Sequence, residues 1–165
     1  MMIETGPGQL HTLKTRINNK YINILVDPGS SHTIVNKNSQ KKMNGSLKQI
    51  GKTILDLETA IGASTCSSNT VTVNIPLNEN DDGYINIIGY TSDIESSLNG
   101  NEHDDNNEIW PNLDQNIKEE VLHNLVSDKT DIDIIIGQDN LWRIVTGKMI
   151  VHPFQNLGIL KSKLG

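Results

Sequence analysis

The chain has 165 residues, room for one domain or two very small ones, and 35% of them are apolar with a single Phe. A formal charge of -6 argues against a nucleic-acid-binding surface, because phosphate contacts need clustered Lys and Arg; Lys41-Lys42 and Lys161-Ser162-Lys163 read as solvated faces. The lone Cys66 excludes an internal disulfide and fits a reducing compartment, and the five His residues lack metal-ligand spacing, so no metal is expected.

In chain order, Leu10 to Ile17 and Tyr21 to Val26 read as two strands around an Asn18-Asn19-Lys20 turn. The second strand, Ile22-Asn23-Ile24-Leu25-Val26, runs into Asp27-Pro28-Gly29-Ser30-Ser31. A carboxylate on a tight Gly turn straight after a buried strand is rigidly held and aimed into a cleft. Thr33-Ile34-Val35 follows, and Asn36 to Met43 is read as two turns of helix ending at Asn44-Gly45.

From Lys48 to Pro76 the pattern is β. Thr53 to Leu57 rises, the small-residue patch Ala60-Ile61-Gly62-Ala63-Ser64 turns, and Thr70 to Ile75 returns in strict alternation. A long hairpin with a tip poor in side chains suits a mobile flap, although such a pattern alone is more often an ordinary hairpin. Tyr84 to Tyr90 is a further strand. The Ser92–Glu108 stretch is polar and aperiodic and is read as a mobile surface insertion. Asp114 is placed to cap a helix through Val126, with Ile117, Val121, Leu122 and Leu125 on one face. Asp131 to Gly137 reads as a buried Ile-rich strand, Asn140 to Val145 as a short helix, and Met149–Val151 and Leu157–Leu160 as closing strands. No run approaches a membrane span and the start has no signal-peptide character.

Two of these features carry chemistry: the Asp27-Pro28-Gly29-Ser30-Ser31 loop, and Ile134-Ile135-Ile136-Gly137 followed by a helix. Together they resemble the two signatures of retropepsin-like aspartic proteases. The later order narrows the resemblance. Trp110, an amphipathic segment, Ile132-Asp133-Ile134-Ile135-Ile136-Gly137-Gln138-Asp139-Asn140-Leu141-Trp142, Thr146-Gly147-Lys148 and Lys163-Leu164-Gly165 are similar to proteases of BEL/Pao-type LTR retrotransposon polyproteins. Pro28 departs from that family, which has Thr or Ser there, and the family's final Trp is missing.

The resemblance implies an all-β fold with one or two short helices, a closed acid-protease barrel with a flap hairpin, one lobe per chain and a single domain over 1–165 with the insertion at 92–108. It implies Asp27 as the catalytic residue, with Pro28, Gly29 and Ser30 supporting its loop. Ser31, Ala60, Ile61, Gly62 and Ala63 would meet substrate, and Ile136 and Gly137 would be structural beside the site. Asp133, Asp139 and Trp142 are read as structural too: a strand-edge charge, a helix cap and a packed ring.

The chemistry is definite. Aspartic proteolysis needs two carboxylates close enough to share one proton: one takes a proton from water and the other hydrogen-bonds the scissile carbonyl. The other Asp-x-Gly, Asp81-Asp82-Gly83, lies in a polar turn without an apolar strand before it. A symmetric homodimer is therefore expected, with Asp27 of each copy at the axis. In the loop, Gly29 would offer its amide to the carboxylate and Ser30 its hydroxyl to the outer oxygen, stabilising the ionised form. Pro28 has neither hydroxyl nor N–H, so the cross-axis hydrogen bond made by the family's Thr or Ser is lost.

The expected activity is that of an aspartic endopeptidase cutting its own polyprotein as a homodimer, without cofactor or metal, and without nucleic-acid or membrane partners. The expected location is cytoplasmic, with virus-like particles as one setting. A competing reading is a degenerate or domesticated copy kept as a dimerisation or peptide-binding module. An acidic scaffold has the insertion alone behind it.

Overall fold

The computed structural model describes residues 2–5, 11–59, 62–77, 83–94, 97–98, 114–124, 130–151 and 157–164. β2 (His11–Ile17) and β3 (Lys20–Val26) form a hairpin closed by Asn18 and Asn19, both at positive φ (51° and 61°). Two left-handed residues make the turn whose twist suits a two-residue hairpin, and Asn tolerates that backbone better than most residues. β1 (Met2–Thr5), without a counterpart in the sequence reading, pairs elsewhere.

β3 is buried from Ile22 through Val26, on both faces rather than one. That is the pattern of a strand inside a covered sheet. Its neighbour is β10 (Ile134–Ile136), which runs parallel to it with Ile134 opposite Ile24 and Ile136 opposite Val26. On the other side β10 pairs antiparallel with β4 (Ile34–Asn36). The chain thus leaves β3, turns through residues 27–33 and enters β4, while a strand from much later in the sequence threads between the two. β10 is shorter than the run Asp131 to Gly137 suggests. Thr130–Asp131 form β9, which leaves to pair with β8 (Ser97–Leu98), and Ile132 and Asp133 are buried where the chain crosses.

β4 continues parallel to β7 (Tyr84–Ser92), then come β6 (Gly62–Pro76) and β5 (Leu47–Thr59). The seven-stranded order is β2-β3-β10-β4-β7-β6-β5, and among the described residues no ladder joins its two edges. β7 alternates, with Ile85, Ile87, Gly89 and Thr91 buried and Tyr84, Asn86 and Ile88 exposed. The main core gathers Leu13, Ile22, Ile24, Val71, Val73, Ile75, Ile87, Ile134 and Ile136 from both ends of the chain.

The β5–β6 hairpin is longer and tighter than expected. Its ladder extends to Thr59 opposite Gly62, so Gly62, Ala63 and Ser64 belong to a strand rather than a turn. Ala60 and Ile61 lie outside the described residues. β5 is an edge strand, and a register shift between Gln49 and Gly51 leaves Ile50 bulged outward, which interrupts an otherwise long open edge.

The expected turns of helix are there, over Lys37–Met43, and they are wound as a 3-10 helix. The tighter winding aligns residues three apart, and Ser39 and Lys42 both donate to the Asp133 carboxylate. α1 (Gln115–Asn124) is capped as expected, the Asn116 amide donating to Asp114 Oδ1 at 2.8 Å; 125–129 lie outside the described residues. α2 (Gln138–Ile144) starts directly after Gly137. β11 (Val145–Val151) and β12 (Leu157–Ser162) form a three-stranded sheet with β1. Of the 92–108 segment, Ser97 and Leu98 are in β8, and 95–96 and 99–108 lie outside the described residues. The chain is therefore mainly β-sheet with few short helices. Among the described residues no helix is long and apolar enough to cross a membrane.

Candidate active site

Asp27 is the first residue beyond β3, half-buried at the mouth of the loop. Its own amide donates to Ile136 O at 2.9 Å, so β10 holds it from below. The Gly29 amide donates to Asp27 Oδ1 at 2.9 Å, and the Ser30 amide closes the turn on Asp27 O at 3.1 Å. A Cβ on Gly29 would lie 3.1 Å from that carboxylate oxygen, tighter than most side chains accept. The expected amide from Gly29 is therefore in place. The expected hydroxyl from Ser30 is not: Ser30 Oγ donates to His32 O at 2.8 Å, turned into its own loop and away from the carboxylate. Pro28, Gly29 and Ser31 are exposed around Asp27.

Under the loop lies a set of contacts between residues more than a hundred positions apart. The Gln138 amide donates to Ser30 O at 2.8 Å and its side chain to Pro28 O at 2.7 Å. Thr33, fully buried, donates its amide to Asp139 Oδ2 at 3.0 Å and its hydroxyl to Asp139 Oδ1 at 2.6 Å. The same hydroxyl oxygen accepts from the Gly137 amide at 3.2 Å and from Asn140 Nδ2 at 2.9 Å. Asn140 also reaches Ile88 O at 2.8 Å, tying β7 to the cluster. A buried hydroxyl with donor and acceptor roles filled is a stiff joint, because losing any partner strands another.

Gly137 makes this approach possible. A Cβ there would fall 2.5 Å from His32 O and 2.8 Å from Ser30 O, inside van der Waals contact with backbone that cannot move aside. Ile136, buried next to it, supplies the carbonyl that holds Asp27. Both residues thus stand beside the loop.

At the far end of the same strands sits Asp133, and it is no strand-edge charge: it is fully buried. Its carboxylate accepts from the Asn23 amide at 2.8 Å, from Lys42 Nζ at 2.8 Å and from Ser39 Oγ. Its backbone exchanges bonds with Asn23 O and Asn36 N, both at 2.9 Å. The short β10 run offers too few ladder bonds to fix the crossing, and this side chain supplies the rest. Asp139 is likewise more than a helix cap, since Gly137 occupies the N-cap position and Asp139 clamps Thr33. Trp142 is not a packed ring: 78% of it is exposed on α2.

Gly62 and Ala63 pair with Thr59 and Glu58 at the hairpin tip, Ala63 exposed, while Ala60 and Ile61 are outside the described residues. Sequence reasoning missed Thr33, Gln138 and Asn140. Their signal was faint: three ordinary polar residues flanking the Asp-x-Gly and hydrophobic-Gly motifs. Among the described residues no three His, Cys, Asp or Glu side chains cluster as a metal site would require.

No protein-family model matches the chain, and no curated protein matches it. Among solved structures it is similar to the crystal structure of a retropepsin-like aspartic protease from Rickettsia conorii. The match covers 98% of this chain and 90% of that one, at 15% identity and a TM-score of 0.44.

Proposed function

We infer that the chain is one half of an aspartic endopeptidase, a symmetric homodimer with Asp27 of both copies at the axis and the sheets curled into a closed barrel. The observation that carries this reading is Asp27 itself. It is a half-buried carboxylate on a loop whose backbone is pinned from beneath by Ile136 and Gln138, while its tip stays exposed. In the pair, one Asp27 takes a proton from the attacking water while the other, protonated, hydrogen-bonds the scissile carbonyl. The Gly29 amide holds one carboxylate oxygen in place. An extended peptide lies between this floor and the β5–β6 hairpin, held in β form. The sequence resemblance names the substrate as a retrotransposon polyprotein of the BEL/Pao type, cut inside the cell. Ser31, Gly62 and Ala63, with Ala60 and Ile61, line the peptide. No cofactor takes part.

The deciding experiment is Asp27→Asn. Cleavage of a peptide library should vanish while secondary structure is kept, and the wild type should be blocked by a statine-type inhibitor, which mimics the tetrahedral intermediate. The kcat/KM profile should be bell-shaped with an acidic optimum, as a shared proton requires. Cleavage by a rigorously purified Asp27→Asn protein would remove the assignment.

A second reading keeps the fold without the catalysis, as a dimerisation or peptide-binding module. Two observations favour it: Pro28 in the loop, and the Ser30 hydroxyl engaged with His32 instead of Asp27. Peptide binding without turnover would select it.

A further inference from the structure

α2 has two unlike faces. Asn140, Leu141 and Ile144 are buried and Asp139 turns its carboxylate onto Thr33, whereas Gln138, Trp142 and Arg143 are exposed. Of these Trp142 is the anomaly, at 78% the most exposed large apolar side chain among those described. Its position is tied to the Asp27 loop. Gln138, whose side chain grips Pro28 O, is four residues earlier and so on the same side of the helix. Helical side chains lean toward the N-terminus, so a residue four positions after Gln138 covers the turn that carries it. Pro28, Gln138 and Trp142 are each exposed, and the Gln138 side chain ties the first to the helix that carries the third, so the three are taken together as one strip.

The chemistry of this strip is lopsided. Pro28 has no donor, and its carbonyl already accepts from Gln138. What Pro28 itself can still offer a neighbour is the apolar face of a pyrrolidine ring. Two copies each carrying a formal charge of -6 gain nothing from net charge on meeting, so an apolar anchor has to do the holding. Aromatic residues are the side chains best suited to that role.

We propose that Trp142 is the dimer lock of this protein: across the two-fold axis, the indole of each copy packs on the Pro28 edge of the partner's Asp27 loop. The occupant of the strip is a second copy because the site is incomplete without one. A single Asp-x-Gly loop follows an apolar strand here, and a dyad places both Asp27 loops within a few ångströms of the axis, which brings both Pro28 tips and both α2 helices to the same seam. This inference rests on the dyad reading, and the test below separates the two.

Sedimentation velocity across a wide concentration range should show a dimer for the full chain. Trp142→Ala should weaken it roughly a hundredfold or more, since two symmetric anchors are lost, and Trp142→Phe should weaken it less. Trp142 is mostly exposed, so the melting temperature of the dilute monomer should not change. In a Trp110→Phe background, Trp142 emission should move to the blue as concentration rises through the dimer constant. Asp27→Asn should dimerise as the wild type does. Two copies of Trp142→Ala joined in tandem should regain the specific activity that the unlinked variant loses on dilution.

A dimer constant indifferent to Trp142→Ala overturns the proposal. So does a wild type that stays monomeric, or a Trp142→Ala variant whose KM rises with its dimer intact, which would give the strip to the peptide instead. If Trp142 governs the dimer but no peptide is cut, the interface stands and the peptidase reading falls. If Asp27→Asn abolishes cleavage while the dimer ignores Trp142, the reverse holds.

Discussion

The floor under Asp27 and the outer half of the β5–β6 hairpin are both β-structure in one sheet, yet they are held in opposite ways. The floor is stitched by residues far apart in sequence: Asp27 to Ile136, Pro28 and Ser30 to Gln138, Thr33 to Gly137, Asp139 and Asn140. The outer hairpin is held by its own ladder and by local pairs such as Thr65 with Asp56. Lys52, Ile54, Asp56, Ala63, Ser64, Thr65 and Ser67 are all exposed there, with Leu55 the buried exception. Backbone bonds without a tertiary backing open at lower free energy than those in a packed crossing. On the reading proposed above, the carboxylate sits on the stiffer part, and the hairpin proposed to cover it is the part that opens more readily.

The sharpest way to break the contrast is Gly137→Ala. A methyl driven to 2.5 Å from His32 O forces apart the loop and the threaded strand. The expected loss is about 4 kcal/mol or more, enough to leave much of the protein unfolded in a urea titration. The same change at Gly51, whose Cβ would meet nothing within 4 Å, should cost about 1 kcal/mol or less.

Asp133→Ala is the next largest. It leaves the buried Asn23 amide and Ser39 hydroxyl without their acceptor, costing about 3 kcal/mol. Lys42→Met should cost about 1 to 3 kcal/mol: the ammonium is partly in water, but its loss leaves the fully buried Asp133 carboxylate without a cation. Equilibrium denaturation of both variants separates the buried carboxylate from its half-exposed cation.

Thr33→Val keeps the shape of the joint and removes its hydroxyl. A stability loss of about 1 to 3 kcal/mol is expected, because Gly137 and Asn140 lose an acceptor and Asp139 a donor. With an active dimer in hand, kcat should fall while KM is nearly unchanged, since the joint aims Asp27 and touches no substrate. The smallest effect is expected in the hairpin, where Thr65→Ala should change stability by no more than about 0.5 kcal/mol. Amides of 52–57 and 63–67 should exchange well before those of 22–26; equal protection would erase the distinction between floor and cover.

Local pattern made part of this legible. The apolar run Ile22 to Val26 ending in Asp27, the Asn18-Asn19 turn, the alternation of Thr70 to Ile75 and the Asp114 cap are each written within a few neighbouring residues, and each lies where the sequence suggested. Gly29 beside its carboxylate and Gly137 under the loop were also visible, as glycine at the end of an apolar run. Side-chain fates that depend on a distant partner were not. The sequence has no way of saying that Ser30 turns to His32, that Asp133 is buried against Lys42 and Ser39 rather than lying on an edge, or that β1 finds β12.

Sequence by itself determined which short segments become strands and where the candidate carboxylate sits, because backbone propensity and apolar periodicity act over a handful of residues. Tertiary structure decided the threading of β10 between β3 and β4, the burial of Asp133 and the exposure of Trp142. A polar side chain is buried when partners for its hydrogen bonds arrive from elsewhere, and a ring stays exposed when no wall does. The burial of Asp133 depends on chain brought in from more than ninety residues away, which no local pattern encodes.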